Sequence, residues 1–137
     1  MTKGRPFRWP VRVYYEDTDA AGVVYYANYL RFMERARTEW LASLGFTLTA
    51  LELEHRAVFV VYRLDIEYRQ PARLYDALEV TLAPAAIGKS RLVANQDVLR
   101  GEERLVSANV TLACLDPASW RPARIPAGVA QRMEAHG

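Results

Sequence analysis

Hydrophobic and polar positions recur along this chain with two periods, and the changes of period divide it. In "RWPVRVYY" the apolar Trp9, Val11, Val13 and Tyr15 stand at every second position, which predicts a half-buried strand. Pro10 suits a strand at a sheet edge, where its missing N–H costs nothing. In "ANYLRFMERARTEWLASLG" the period lengthens, and Leu30, Met33, Ala36, Trp40, Leu41 and Leu44 fall on one side of a helix. Asn28 or a neighbour caps its start, Arg35 and Glu39 stand as an i,i+4 pair, and Gly45 stops it. From Val58 the period returns to two. Tyr62, Leu64, Ile66 and Tyr68 alternate with Arg63, Asp65, Glu67 and Arg69 until Pro71 ends the run. "DALEVTLAPAAIG" and "KSRLVANQDVLR" read as two further strands. "GEERLVSANVTLACLD" reads as the last, with Val106, Ala108, Val110, Leu112 and Cys114 on one face and Gly101, Glu102 and Glu103 as the turn before it. "AGVAQRMEAHG" ends the chain as a short helix.

Strand, long helix, then four strands in succession predict an α+β arrangement, with one antiparallel sheet wrapped around one central helix. The 137 residues fit a single domain, 1–137, and 51% apolar with 25% charged residues is a globular composition. One cysteine, Cys114, excludes an internal disulfide and favours a reducing compartment. "MTKGRPFRWP" has no apolar run behind its basic start, and no window reaches the length of a membrane span. The expected location is cytoplasmic. A net charge of +2 gives no support for nucleic acid as a partner.

The chemistry concentrates between the first strand and the helix, where "EDTDAAG" holds Glu16, Asp17 and Asp19. Such a segment serves as an Asx-turn with its carboxylates in water. It also suits acyl transfer. A helix N-terminus offers unpaired N–H groups to a developing oxyanion, and a carboxylate from the preceding segment serves as base or nucleophile. Asp19 lies close enough to the helix start for that role, and Gly22 lets backbone approach a ligand. A metal held by Asp17 and Asp19 lacks any supporting His, Asp or Glu cluster.

"FRWPVRVYYEDTDAAGVVYYANYLRFMERAR", with "AFVV", "EYRQPARLYDALEV" and "CLDPASWRPARIP", resembles the hotdog-fold acyl-CoA thioesterases of the 4-hydroxybenzoyl-CoA thioesterase-like group. The closer likeness is to the bacterial branch encoded with the Tol-Pal envelope system. The resemblance implies a hotdog fold and Asp19 as the catalytic carboxylate. It implies that the backbone N–H near Tyr26 polarises the thioester carbonyl, that Asn28 and Tyr29 shape the entrance, and that Glu16 and Asp17 support the loop. That branch usually carries histidine where Tyr26 stands, whereas the hydroxybenzoyl-CoA enzymes have tyrosine; a backbone donor survives the exchange. The region of "GKSRL" lies near bound coenzyme A in the family, so Gly88, Lys89 and Arg91 are candidates for its phosphates. The alternative there is a charged hairpin tip in solvent. Coenzyme A enters as part of the substrate, with no metal or redox cofactor implied. Acyl carrier protein is an alternative carrier of the acyl group, and the family's dimers pair into tetramers.

The remaining reactive residues read as structural. His55 lies among acids at the surface, and His136 belongs to the tail. Cys114 follows the inward alternation of its strand as a buried, inert thiol. Tyr62 and Tyr68 read as core or interface. No G-x-S-x-G supports a serine hydrolase. The function expected is hydrolysis of an acyl thioester to the free acid and coenzyme A. The alternatives are a non-catalytic scaffold that binds acyl thioesters or acyl carriers, and a hydratase, for which no histidine lies near the motif. A homodimer joined edge to edge is expected, because one sheet around one helix leaves a strand edge exposed.

Overall fold

The computed structural model describes residues 5–135; the tail residue His136 and the first four residues lie outside that range. Strand β1 (Phe7–Arg12) alternates half-buried Phe7, Trp9 and Val11 with exposed Arg8, Pro10 and Arg12. The period-two series stops sooner than expected. Tyr15 belongs to a one-turn 3₁₀ helix, Tyr15–Asp17, and stands in solvent. The Asp17 carboxylate accepts the Tyr14 N–H at 2.8 Å, a local bond that competes with the sheet for the backbone.

Helix α1 (Asn28–Ser43) buries Tyr29, Phe32, Met33, Ala36, Trp40 and Leu41. Leu30, expected in that stripe, lies at its margin and is 37% exposed. Ala27 takes the N-cap position and has no side-chain acceptor to offer, while Asn28 lies inside the helix and gives its amide to Asp17 O. Arg35 and Glu39 do not close to ion-pair distance among the described residues. Gly45 ends the helix as expected, at φ +97°, with its N–H on Ala42 O at 2.9 Å. A second helix, α2 (Leu48–His55), follows; the period reading did not foresee it. Only Leu51 of its residues is buried, so no apolar stripe marks it, although Thr47 caps it by accepting the Ala50 N–H at 3.1 Å.

Strands β2 (Val58–Tyr68), β3 (Ala77–Ile87), β4 (Arg91–Arg100) and β5 (Glu103–Leu115) join β1 in one antiparallel sheet, ordered β1-β3-β4-β5-β2. The edges are β1 and β2. Pro84 sits in an inner strand, but β1 pairs β3 only as far as Leu82, and the β3–β4 register shifts beside it. Another register shift, between Val61 and Arg63, corrects the reading of β2. The extra residue there is Tyr62, whose ring, 59% exposed, lies under the Arg91 guanidinium at 4.1 Å, so it is no core residue. Helix α3 (Ala127–Ala135) closes the chain and buries Val129 and Met133.

The helix and sheet share one apolar core, in which Val106, Ala108, Val110, Leu112 and Cys114 of β5 are all buried as the alternation predicts. Two polar side chains, Thr81 and Gln96, are buried among the described residues, and the second bridges helix and sheet. Gln96 of β4 is fully buried, donates to Met33 O at 3.1 Å and accepts from Arg37 at 2.9 Å, pinning α1 to the sheet. One antiparallel sheet packed on one long helix is the α+β arrangement that the hotdog resemblance implies. No helix among the described residues is long and apolar enough to cross a membrane.

Candidate active site

The segment between β1 and α1 is a tight hairpin. Asp19 N donates to Val23 O at 2.9 Å, Gly22 N to Asp19 O at 3.0 Å, and Thr18 bridges Val24. Gly22 sits at φ +81° with open space where a Cβ would be, so the turn itself, not crowding by neighbours, demands glycine. Asp19 lies at the first corner. One of its carboxylate oxygens accepts the Ala21 N–H at 2.9 Å, and the side chain is otherwise exposed.

Asp17 ties this hairpin to the helix. Its carbonyl accepts the Tyr25 N–H at 2.9 Å and the Asn28 amide at 3.0 Å. Tyr29, buried one residue on, accepts the Ala72 N–H on its hydroxyl at 2.9 Å, and burial pushes that phenol's pKa up. Asn28 and Tyr29 are thus struts turned toward the protein. Between them and the hairpin, the N–H groups of Tyr26 and Ala27 make no hydrogen bond among the described residues. They are the first free donors at the positive end of α1.

The strand-β2 side completes the surroundings. Tyr68 donates its hydroxyl to Tyr26 O at 3.1 Å, and with Tyr26, Tyr29, Val24, Gln70 and Pro71 it lines a cleft of about 250 Å³. Below it, Val24 N donates to Ala72 O, and Arg73 N to the Asp76 carboxylate, which also takes Arg100 at 2.7 Å. Sequence reasoning missed Tyr68 as a neighbour of Tyr26. It lies 42 residues away and carries no local signal.

The structure brings Asp19, Gly22, Tyr26, Asn28 and Tyr29 together and leaves Gly88, Lys89 and Arg91 apart from them. Those three lie at the β3–β4 turn and the start of β4, at the far end of β3 from the hairpin. About ten rises of roughly 3.3 Å separate the strand's ends by about 30 Å. Lys89 borders a cleft with Arg124 and α3, whereas Arg91 is stacked on Tyr62. Arg124, from the segment before α3, is a further cation that the sequence reading did not single out. Of the remaining reactive residues, His55 is exposed on α2, and Cys114 is fully buried, with burial raising its thiol pKa.

Residues 21–107 match the model of the Thioesterase superfamily. The acyl-CoA thioester hydrolase YbgC of Escherichia coli is 46% identical over 124 residues, covering 90% of this chain and 92% of its own. A 1,4-dihydroxy-2-naphthoyl-CoA hydrolase of Nostoc punctiforme is 27% identical over 130 residues, covering 95% of this chain and 88% of its own. Among solved structures, a probable thioesterase from Bartonella henselae superposes with a TM-score of 0.84 at 35% identity, over 89% of this chain and all (100%) of the other.

Proposed function

The chain belongs to the thioesterase superfamily and is a thioester hydrolase, and from that premise we propose how it cleaves an acyl-CoA. The thioester carbonyl rests against the free N–H groups of Tyr26 and Ala27, which stabilise negative charge as it develops on the oxygen. Asp19 supplies the carboxylate. As a base it takes a proton from water as the water oxygen bonds to the carbonyl carbon. As a nucleophile it bonds to that carbon itself, and water then hydrolyses the mixed anhydride. In both routes the C–S bond breaks, and coenzyme A leaves as thiolate and takes up a proton. The observation that carries this reading is the pair of unengaged N–H groups at the helix start, in the same hairpin–helix unit as an exposed carboxylate.

The working unit in this reading is a homodimer joined along β2, an edge strand with a free side. Antiparallel pairing of two β2 edges turns the second sheet end for end. The partner's Lys89 then stands at the same end as Asp19, about two strand spacings, or roughly 10 Å, in from the seam. Phosphates of coenzyme A then meet the partner's Lys89, because the protomer's own Lys89 lies at the other end of β3. The acyl group rides on coenzyme A, with acyl carrier protein as the other carrier to test.

The experiment is thiol release from a panel of aliphatic and aromatic acyl thioesters. Asp19→Asn keeps the turn-forming bond to Ala21 and is expected to lower kcat by on the order of 10²–10⁴. Asp17→Asn, whose carboxylate is occupied by Tyr14 N–H, is the matched control and costs much less. Near-parental turnover by Asp19→Asn would overturn the assignment. Binding without hydrolysis across the whole panel by the parent protein would point to a scaffold.

A further inference from the structure

Carbonyls in the first turn of an α-helix accept from N–H groups four residues on. Tyr26 stands one residue before the N-cap, Ala27, where a carbonyl has no helical partner. Leu30 N, four residues on, donates to the N-cap carbonyl, Ala27 O, at 3.1 Å. The partner of the Tyr26 carbonyl among the described residues is the Tyr68 hydroxyl, which arrives from the last position of β2. The Tyr68 ring stands edge-on to the Tyr26 ring, with centroids 6.1 Å apart and planes at 83°, and obliquely against Tyr29 at 5.7 Å. Tyr29 is itself anchored to Ala72. The hydroxyl therefore sits on a braced ring.

We propose that Tyr68 is a positioning residue for thioester hydrolysis, holding the Tyr26–Ala27 peptide so that the Ala27 N–H faces the cleft; this rests on the helix-start donors polarising the thioester carbonyl. A peptide unit is planar, so fixing the Tyr26 carbonyl fixes the direction of the Ala27 N–H on the same plane. With the hydroxyl removed, the Tyr26 carbonyl loses its partner among the described residues, and any turn of that peptide re-aims the Ala27 N–H. Donors stabilise an oxyanion best when no reorganisation is needed at the moment of reaction. A carbonyl only accepts, so the phenol must donate, and burial beside Tyr26 and Tyr29 raises its pKa and keeps it protonated. Tyr68 is not among the residues of the protomer's buried core.

Tyr68→Phe keeps the ring and removes the bond. The expected result is a roughly 3- to 10-fold fall in kcat, the range one neutral hydrogen bond supports, with KM changed less than about twofold. The second readout is the carbonyl stretch of a thioester freshly bound to Asp19→Asn, which is expected to turn substrate over on the order of 10²–10⁴ more slowly. Polarisation by the helix-start donors lowers that frequency, and adding Tyr68→Phe should move the band back toward its position in solution. A lowered frequency in Asp19→Asn that Tyr68→Phe leaves in place would overturn the role of Tyr68 and leave the donors standing. A fall in kcat accompanied by a lower melting temperature and no change in the band would do the same, assigning the hydroxyl to stability. A band at its solution position in Asp19→Asn itself would remove the helix-start reading, and the role of Tyr68 with it.

Discussion

Three carboxylates that look alike in "EDTD" separate once their partners are known. The Asp17 side chain is spent on Tyr14 N–H and its carbonyl on Tyr25 and Asn28, so it builds the hairpin. Asp19 spends one oxygen on Ala21 and keeps the rest of its side chain in the open. Glu16 is exposed beside them. A fourth carboxylate, Asp76, supports the floor beneath. Burial opposes its ionisation, but the Arg73 N–H and the Arg100 guanidinium outweigh that and hold its pKa below the ordinary value. A carboxyl depressed in the folded state adds stability above its unfolded pKa of about 3.9 and loses it as pH falls through the folded value. Asp76→Asn should therefore melt below the parent at neutral pH, with the gap closing as pH drops through and below the carboxylate range. Thermal melts of both proteins between about pH 7 and pH 2 test this, and a constant gap would contradict it.

Among the elements, α1 depends on others at both ends. Its start has no side-chain cap and is braced by the hairpin before it and by β2 beside it. Its end has no basic residue in the last turn, and Arg132 of α3 supplies one from 88 residues away, donating to Leu44 O at 3.0 Å. Arg132→Ala should destabilise the fold by about 1 kcal/mol through that carbonyl and the negative end of the helix. Gly45→Ala should cost a similar amount, about 1 kcal/mol, for a different reason. A Cβ there meets Arg132 Nη1 at an ordinary 3.8 Å, so the strain is in φ and not in crowding. Urea titrations report both, and parental midpoints for either variant would refute the cap that it tests.

At the scale of the whole molecule, Asp19 and Lys89 of one protomer lie toward opposite ends of β3, and the proposed function draws them from different protomers. A dimer in which each site spans the seam makes a specific prediction about mixtures. Lys89→Ala alone should raise KM for acyl-CoA with kcat nearly unchanged, the mark of lost uniform binding. Mixed dimers of Lys89→Ala and Asp19→Asn protomers then contain one site with Asp19 from the first and the partner's Lys89 from the second. Parental KM should return in the mixture. If Lys89 serves its own protomer's site, KM stays high. Sedimentation at micromolar concentration supplies the simpler check, because a fully active monomer would exclude the shared site.

The sequence by itself determined what short-range physics controls. Alternation located the strands, the 3.6-residue period located α1, and Gly45, Gly101 and Pro71 marked where elements turn. The unbroken motif from Phe7 to Arg37 identified the family. Only the tertiary structure decided the rest. Leu30 leaves the buried stripe, and Tyr62 turns out of the core at a bulge that no alternation announces. Asn28 gives its amide to Asp17 instead of capping, and the uncapped start of α1 is secured by Tyr68. Lys89, adjacent to a glycine turn as expected, stands a strand's length from Asp19. Periodicity and turn preferences arise from neighbours within about four residues and are written into the local order of the chain. Which carbonyl a tyrosine finds 42 residues on depends on the register in which the sheet closes, and that is settled only when the whole core packs.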